Sequence, residues 1–254
     1  MAGKLDGKVA IVTGSASGMG KAIAELYAQE GATVIVADLK QTAIDAVVDE
    51  INNAGGDASG FVADMSKEND IIDLVENVVE KYSHIDILVN NAGVMDNFVT
   101  VGNLDTDKWN KILAINLTGP TIASREVINV MLNQPDGGAI INVASVGGLF
   151  GARGGAAYIA SKHGLIGITK NIAATYGRFK NIRANAIAPG GVKTNIGNTI
   201  TEPDQLGLQA IGAAGESPMG DPADIAQVAL LLGSDDAKFV NGTTITADGG
   251  WTAS

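Results

Sequence analysis

Short apolar runs alternate with amphipathic stretches along the chain. "VAIVT" (9–13) and "TVIVA" (33–37) are unbroken apolar segments. Runs of this kind read as strands buried on both faces. "GFVA" (60–63), "IDILVN" (85–90), "AIINVA" (139–144), "RANAIA" (183–188) and "TTITA" (243–247) extend the series to seven. Between them, apolar residues take helical spacing. Ile23, Leu26 and Tyr27 form one such face, Ile44, Val47, Val48 and Ile51 a second, and Ile71, Leu74, Val75 and Val78 a third. Gly31 and Gly55-Gly56 stand where the first two helices should stop. Asp221-Pro222 followed by Asp224 reads as a helix cap, a first-turn proline and an acidic first turn. Strand–helix alternation repeated this often predicts an α/β fold, a parallel sheet with helices on both faces. Residues 190–220 form the one long irregular stretch, expected to be a lid or binding loop.

Composition narrows the class. The 254 residues suit one domain, and no internal linker or low-complexity segment interrupts them. Hydrophobic residues are 46% and charged residues 18%, a globular balance. With no cysteine, disulfides and thiolate metal sites are excluded, and no metal is expected. The net charge of −11 and the lack of a Lys/Arg cluster argue against nucleic acid as a partner. No apolar stretch approaches the roughly 18 residues of a membrane span. The start of the chain has no apolar run of signal-peptide length. The expectation is a soluble, cytoplasmic protein.

"TGSASGMG" (13–20) follows the first strand and opens the first helix. Gly14, Gly18 and Gly20 there let backbone approach a pyrophosphate, and the helix N-terminus offers free N–H groups to it. The spacing differs from G-x-G-x-x-G, so the strand–turn–helix context carries the reading. Asp38 ends the second strand, 18 residues beyond Gly20. A carboxylate there can accept from both adenosine ribose hydroxyls and repels a 2′-phosphate. Two like charges about 4 Å apart at an effective dielectric near 20 cost roughly 4 kcal/mol. No arginine lies at 15–17 or 39–41, and Lys40 is at most a weak compensator. NAD(H) is therefore expected over NADP(H). The competing reading of Asp38 is a turn cap.

Five motifs then fall in one order: the glycine loop, "NNAG" (90–93), "INVAS" (141–145), "YIASK" (158–162) and "PGGVKT" (189–194). In this the chain resembles the short-chain dehydrogenase/reductase family in its classical form, from "TGSASGMG" to "VNGTTITADGGW" (240–251). The resemblance implies a single Rossmann-like, doubly wound sheet of seven strands in the order 3-2-1-4-5-6-7. It implies cofactor contacts from the loop residues Gly14, Ser17, Gly18, Met19 and Gly20, and from Asp38 and Leu39. Asp64 would meet the adenine amino group, with a backbone contact from Met65. Asn91, Ala92 and Gly93 would line the cofactor. Pro189, Gly190, Val192 and Thr194 would clamp its carboxamide. Asn116, in "LAINLTG", would hold a water in a proton relay; its structural alternative is a helix kink. The resemblance also implies a homotetramer, with subunit interfaces in the 105–130 and 155–178 regions.

Chemistry agrees with the resemblance at Ser145, Tyr158 and Lys162. Tyr158 and Lys162 are four apart and share a helical face. Ketone reduction needs a hydride, which a nicotinamide supplies, and a proton donor at the carbonyl oxygen. Free tyrosine titrates near about 10, too high for easy proton exchange. A neighbouring ammonium favours the phenolate, and Lys162 is placed to provide one, with spare N–H donors for the nicotinamide ribose. Ser145 can steady the developing alkoxide. Tyr158 and Lys162 thus count as both catalytic and cofactor-binding. Val94, Met95, Phe98, Val146, Leu149, Phe150 and Ile196 are expected to line an apolar substrate pocket. The leading function is NAD(H)-dependent interconversion of a secondary alcohol and a ketone. The alternatives are a 3-oxoacyl-carrier-protein reductase and a non-catalytic NAD sensor. His84 and His163 match no motif and read as structural.

Overall fold

A computed structural model describes residues 2–253. Strands β1 (Val9–Thr13), β2 (Thr33–Asp38), β3 (Asp57–Val62), β4 (Ile87–Asn90), β5 (Gly138–Val143) and β6 (Ile182–Pro189) alternate with helices α1 (Gly18–Gln29), α2 (Gln41–Asn53), α3 (Glu68–Tyr82), α4 (Thr106–Leu113), α5 (Gly119–Met131) and α6 (Ala156–Lys180). Then follow β7 (Gly191–Val192), α7 (Gln205–Gly212), β8 (Met219–Gly220), α8 (Pro222–Gly233) and β9 (Thr244–Ala247). Seven strands form one parallel sheet in the order β3-β2-β1-β4-β5-β6-β9. This is the expected order, with β9 as the seventh strand because the short β7 and β8 pair separately.

The sheet is buried on both faces, as the unbroken apolar runs require. β1 shows how. Ala10 and Val12 point into a core shared with Ile23 and Tyr27 of α1, Ile44 of α2 and Ile225 and Leu230 of α8. Val9 and Ile11 point into the opposite core with Leu74 and Val78 of α3, Val127 of α5 and Ile172 of α6. Ile11 is fully buried; its truncation to alanine should cost about 2–5 kcal/mol. Tyr27 Oη donates to the Ala229 carbonyl at 2.7 Å and ties α1 to α8.

Chain winding reverses between β1 and β4, which are neighbours at the centre of the sheet. A crevice opens outside the strand ends at such a point. Three expectations need adjustment. β3 begins at Asp57, earlier than "GFVA", because this edge strand alternates exposed and covered residues and has no apolar run to reveal it. The 190–220 stretch is mostly ordered, holding β7, a 3₁₀ turn at Asn195–Thr199, α7 and β8. Asp204 caps α7 by accepting the Gly207 N–H at 3.0 Å. The third is at 114–118, where α4 passes into α5 through a turn of π-helix. No helix among the described residues is long and apolar enough to cross a membrane.

Candidate active site

The crevice is lined by the glycine loop on one side and the chain after β4 on the other. Gly14, Ser17, Gly18, Met19, Asp38, Leu39, Asp64, Met65, Asn91, Ala92, Gly93 and Thr194 all line it. Gly14 has φ +63°, and a Cβ there would lie 2.8 Å from the Ala92 Cα. Glycine is thus required by both the dihedral and the close approach. Ser17 lends α1 no side-chain cap, so the helix opens on the crevice with its first N–H groups available to an anion. Gly20 does not line the crevice; a Cβ would collide with the Gly14 carbonyl, so its role is close packing of helix on loop.

Asp38 holds two backbone N–H groups. Its Oδ2 accepts the Ala16 N–H at 3.0 Å and its Oδ1 accepts the Leu39 N–H at 2.7 Å. The cap reading is therefore part of the answer. A carboxylate has about four acceptor sites, so each oxygen keeps a lone pair for a further donor. No lysine or arginine is among the described residues lining the crevice. Asp64 Oδ1 accepts from the Ser66 N–H at 3.0 Å and the Ser66 hydroxyl at 2.7 Å. These bonds hold its carboxyl below the usual range.

The floor is a polar weave. Asn91 Nδ2 donates to the Thr13 and Gly14 carbonyls, each at 3.0 Å, while Thr13 Oγ1 accepts the Asn91 N–H at 3.1 Å and the Ala92 N–H at 3.2 Å. The buried Asn91 Oδ1 has no partner. Asn116 is fully buried in the π-helical turn. Its Oδ1 accepts the Val94 N–H and its Nδ2 donates to the Val94 carbonyl, both at 2.9 Å. The side chain therefore serves as a clamp on the crevice wall. Pro120, which would be the α-helical donor to the Asn116 carbonyl, has no N–H to give.

Ser145, Tyr158 and Lys162 are all buried; none lines the crevice itself, but Lys162 lies beside Gly93 on its wall. Ser145 follows β5; its Oγ accepts the Gly147 N–H at 3.0 Å and keeps its own hydrogen to donate. Burial pushes the Tyr158 phenol above its ordinary range, a hydrogen bond with Ser145 pulls it down, and the charge of Asp96 raises it further. Lys162 lies one turn on, with Nζ 5.7 Å from the Tyr158 ring centre and 2.9 Å from the Val143 carbonyl it donates to. Burial lowers its pKa to about 8. For the Tyr158 phenol, burial is the largest influence. A Cβ at Gly93 would lie 3.5 Å from Lys162 Nζ and 3.4 Å from Asn116 Oδ1, so the two meet beside the crevice wall.

Other expectations divide. Val94 and Ile196 line the crevice. Phe98 lines a separate cavity with Trp109 and His163 on the outer side of α4 and α6. Leu149 and Phe150 are exposed; Arg153 stacks 4.1 Å over Trp251 and lies 5.7 Å from Phe150. Pro189, Gly190 and Val192 do not line the crevice. Gly190 gives its N–H to the Ala247 carbonyl at 3.0 Å, and Val192 packs toward the core. His84 bonds the Tyr82 carbonyl and Asp86, and His163 the Ile159 carbonyl, as structural residues do. Sequence reasoning missed Thr13 and Asp96. Thr13 had a signal, as the last polar residue of a strand feeding a glycine loop; Asp96 had none.

The family model described as Enoyl-(Acyl carrier protein) reductase matches residues 14–252. A 3beta-hydroxysteroid dehydrogenase 2 of Eggerthella lenta is 39% identical, covering 98% of this chain and 96% of that one. A 3-oxoacyl-[acyl-carrier-protein] reductase of Thermotoga maritima is also 39% identical, covering 97% and 98%. The crystal structure described as a putative NAD(P) dependent gluconate 5-dehydrogenase from Beutenbergia cavernae, with bound NADP at low occupancy, superposes with a TM-score of 0.88 at 33% identity, covering 98% of each chain. The chain belongs to the short-chain dehydrogenase/reductase family of oxidoreductases and carries its Rossmann-like fold.

Proposed function

We propose that the protein interconverts a secondary alcohol and a ketone using NAD(H), with Tyr158 as acid and base. The observation that carries this is the burial of Ser145, Tyr158 and Lys162, with Lys162 beside Gly93 on the wall of a crevice whose lining, among the described residues, holds Asp38 and no lysine or arginine. The crevice fits a dinucleotide: Gly14 brings backbone close, α1 opens on the cleft, and Asp38 keeps acceptor sites for ribose hydroxyls. Asp64 and Met65 would meet the adenine, Asn91 to Gly93 the middle of the cofactor, and Thr194 its carboxamide. When bound, the nicotinamide supplies or takes the hydride.

The chain's own residues handle the proton. In reduction, the Tyr158 hydroxyl gives its proton to the carbonyl oxygen, and the Ser145 hydroxyl donates a hydrogen bond to the same oxygen. Lys162, charged below about pH 8, offsets the phenolate left behind. Oxidation runs the same steps in reverse, so it needs the phenolate first. Val94 and Ile196 present an apolar wall, which supports a hydrophobic ketone.

The second reading is a 3-oxoacyl-carrier-protein reductase, favoured by the 39% identity to the Thermotoga enzyme. The test is NADH and NADPH oxidation against cyclohexanone, a 3-ketosteroid and an acetoacetyl thioester. Turnover of a ketone with NADH supports the leading reading; thioester turnover with NADPH supports the second. Cofactor binding without turnover anywhere supports the sensor. We also propose a cytoplasmic homotetramer, supported by the open cavity beside Trp109 and Ile159 on α4 and α6; light scattering at a monomer mass would overturn it.

A further inference from the structure

Asp96 lies in the chain after β4 and reaches the start of α6, some 60 residues later. Its Oδ2 accepts the Tyr158 N–H at 2.8 Å and its Oδ1 accepts the Gly155 N–H at 3.0 Å. Asp96 Oδ1 also takes the Phe98 N–H at 3.2 Å, and the Val99 carbonyl takes the Ala156 N–H at 2.8 Å. The 96–99 turn thus fills the N-terminus of the helix that carries Tyr158. A capping carboxylate usually comes from the residue next to the helix; here the adjacent cap is Gly155, which has no side chain. A Cβ at Gly155 would lie 2.6 Å from both Asp96 oxygens, so glycine at 155 and aspartate at 96 are a fitted pair.

The same turn grips the lid. Asn97 Oδ1 accepts the Thr201 N–H and the Asn97 carbonyl accepts the Asp204 N–H, both at 2.9 Å. The Met95 N–H donates to Thr199 Oγ1 at 3.0 Å. Between these two sets of bonds, Asn97 and Phe98 both sit at φ +58°. Asparagine tolerates that region, but a phenylalanine there is an outlier held by its surroundings.

Resting on the function proposed above, we propose that Asp96 is a positioning residue that seats Tyr158, linking it through the strained Asn97–Phe98 turn to the lid at 199–207. The charged groups that face Tyr158 are Lys162 on its own helix and Asp96 from the chain after β4. Ser145, from the chain after β5, lowers its pKa, and Gly147 and Gly154 pack on its ring without charge. No lysine or arginine pairs with Asp96 among the described residues, so its charge acts on Tyr158 with no salt-bridge partner to offset it. That charge raises the phenol, so its removal should lower it.

The test compares wild type with Asp96→Asn and with Asp96→Ser, a smaller variant that still accepts one N–H. The substrate is the best alcohol or ketone of the panel above. Expected are a kcat lower by about 10- to 100-fold, NADH affinity within about twofold by fluorescence, and a pH midpoint for oxidation that moves to lower pH. Unchanged kcat and pH midpoint overturn the proposal. So does a parallel loss of kcat, NADH affinity and melting temperature with the midpoint fixed, since that is a structural role only. If wild type turns over nothing, the functional reading has failed, and Asp96 is judged separately. Tyrosine labelled with ¹³C at Cζ gives a Tyr158 resonance, assigned by its loss in Tyr158→Phe. Its titration moves to lower pH in Asp96→Asn if Asp96 acts as proposed and stays put if it does not.

Discussion

Lys162 donates to the Val143 carbonyl at 2.9 Å from a position 3% exposed, which makes it a buried cation on a neutral partner. Burying a charge that lacks a counter-ion is unfavourable, and the lysine answers by releasing its proton more readily.

A stability prediction follows. The unfolded lysine holds its proton to 10.5, and the folded one only to about 8. Between those values the unfolded chain binds more protons, so stability should rise with pH across that window, and the penalty is fully present below it. The shift corresponds to about 3 kcal/mol. Lys162→Met should therefore raise the melting temperature at pH 7 while abolishing turnover. Thermal unfolding followed by circular dichroism checks it; a lower melting temperature contradicts it.

The two reaction directions should differ in pH dependence. The phenol is raised by burial and so stays protonated at neutral pH, which suits ketone reduction. Oxidation needs the phenolate and should speed up as pH rises. The gain should flatten above about 8, where Lys162 loses its charge. Initial rates in both directions from pH 6 to 10 give the answer, and identical profiles would count against Tyr158 as the shared acid and base.

Asp38 should decide the cofactor. Asp38→Ala removes the repulsion of a 2′-phosphate and should improve kcat/KM for NADPH relative to NADH by at least about tenfold, since the repulsion is worth up to roughly 4 kcal/mol. It also frees the Ala16 and Leu39 N–H groups, so some loss with NADH is expected. An unchanged ratio would remove Asp38 from cofactor choice.

Asn116→Ala should cost stability as well as rate. It leaves the Val94 N–H and carbonyl without their partners, at about 1–3 kcal/mol for each buried group. Chemical denaturation measures the loss; a variant within about 0.5 kcal/mol of wild type would show that water replaces the clamp.

How much of this could be read from the chain depended on how local each signal was. The strands were legible because a doubly covered sheet writes itself as apolar runs, and β3 was mis-bounded because it is an edge. The glycine loop, Asp38 and the Tyr158/Lys162 pair were legible because close backbone approach and helical spacing are local constraints. Asp96 was invisible. Its partners, Gly155 and Tyr158, are 59 and 62 residues away, and nothing in "GVMDNF" marks it. The burial of Tyr158 was hidden for a related reason: pairing it with Lys162 needed only spacing, whereas burial depends on the whole fold. The clamp by Asn116 also needed the π-helical turn, which has no sequence period of its own.

The most direct test of the central claim is ketone-dependent NADH oxidation by wild type and Tyr158→Phe, followed at the nicotinamide absorbance, with NADH binding measured on both. The account predicts turnover by wild type, a loss of about 10²- to 10⁴-fold in the variant, and equal NADH affinity. Turnover surviving in Tyr158→Phe would contradict it.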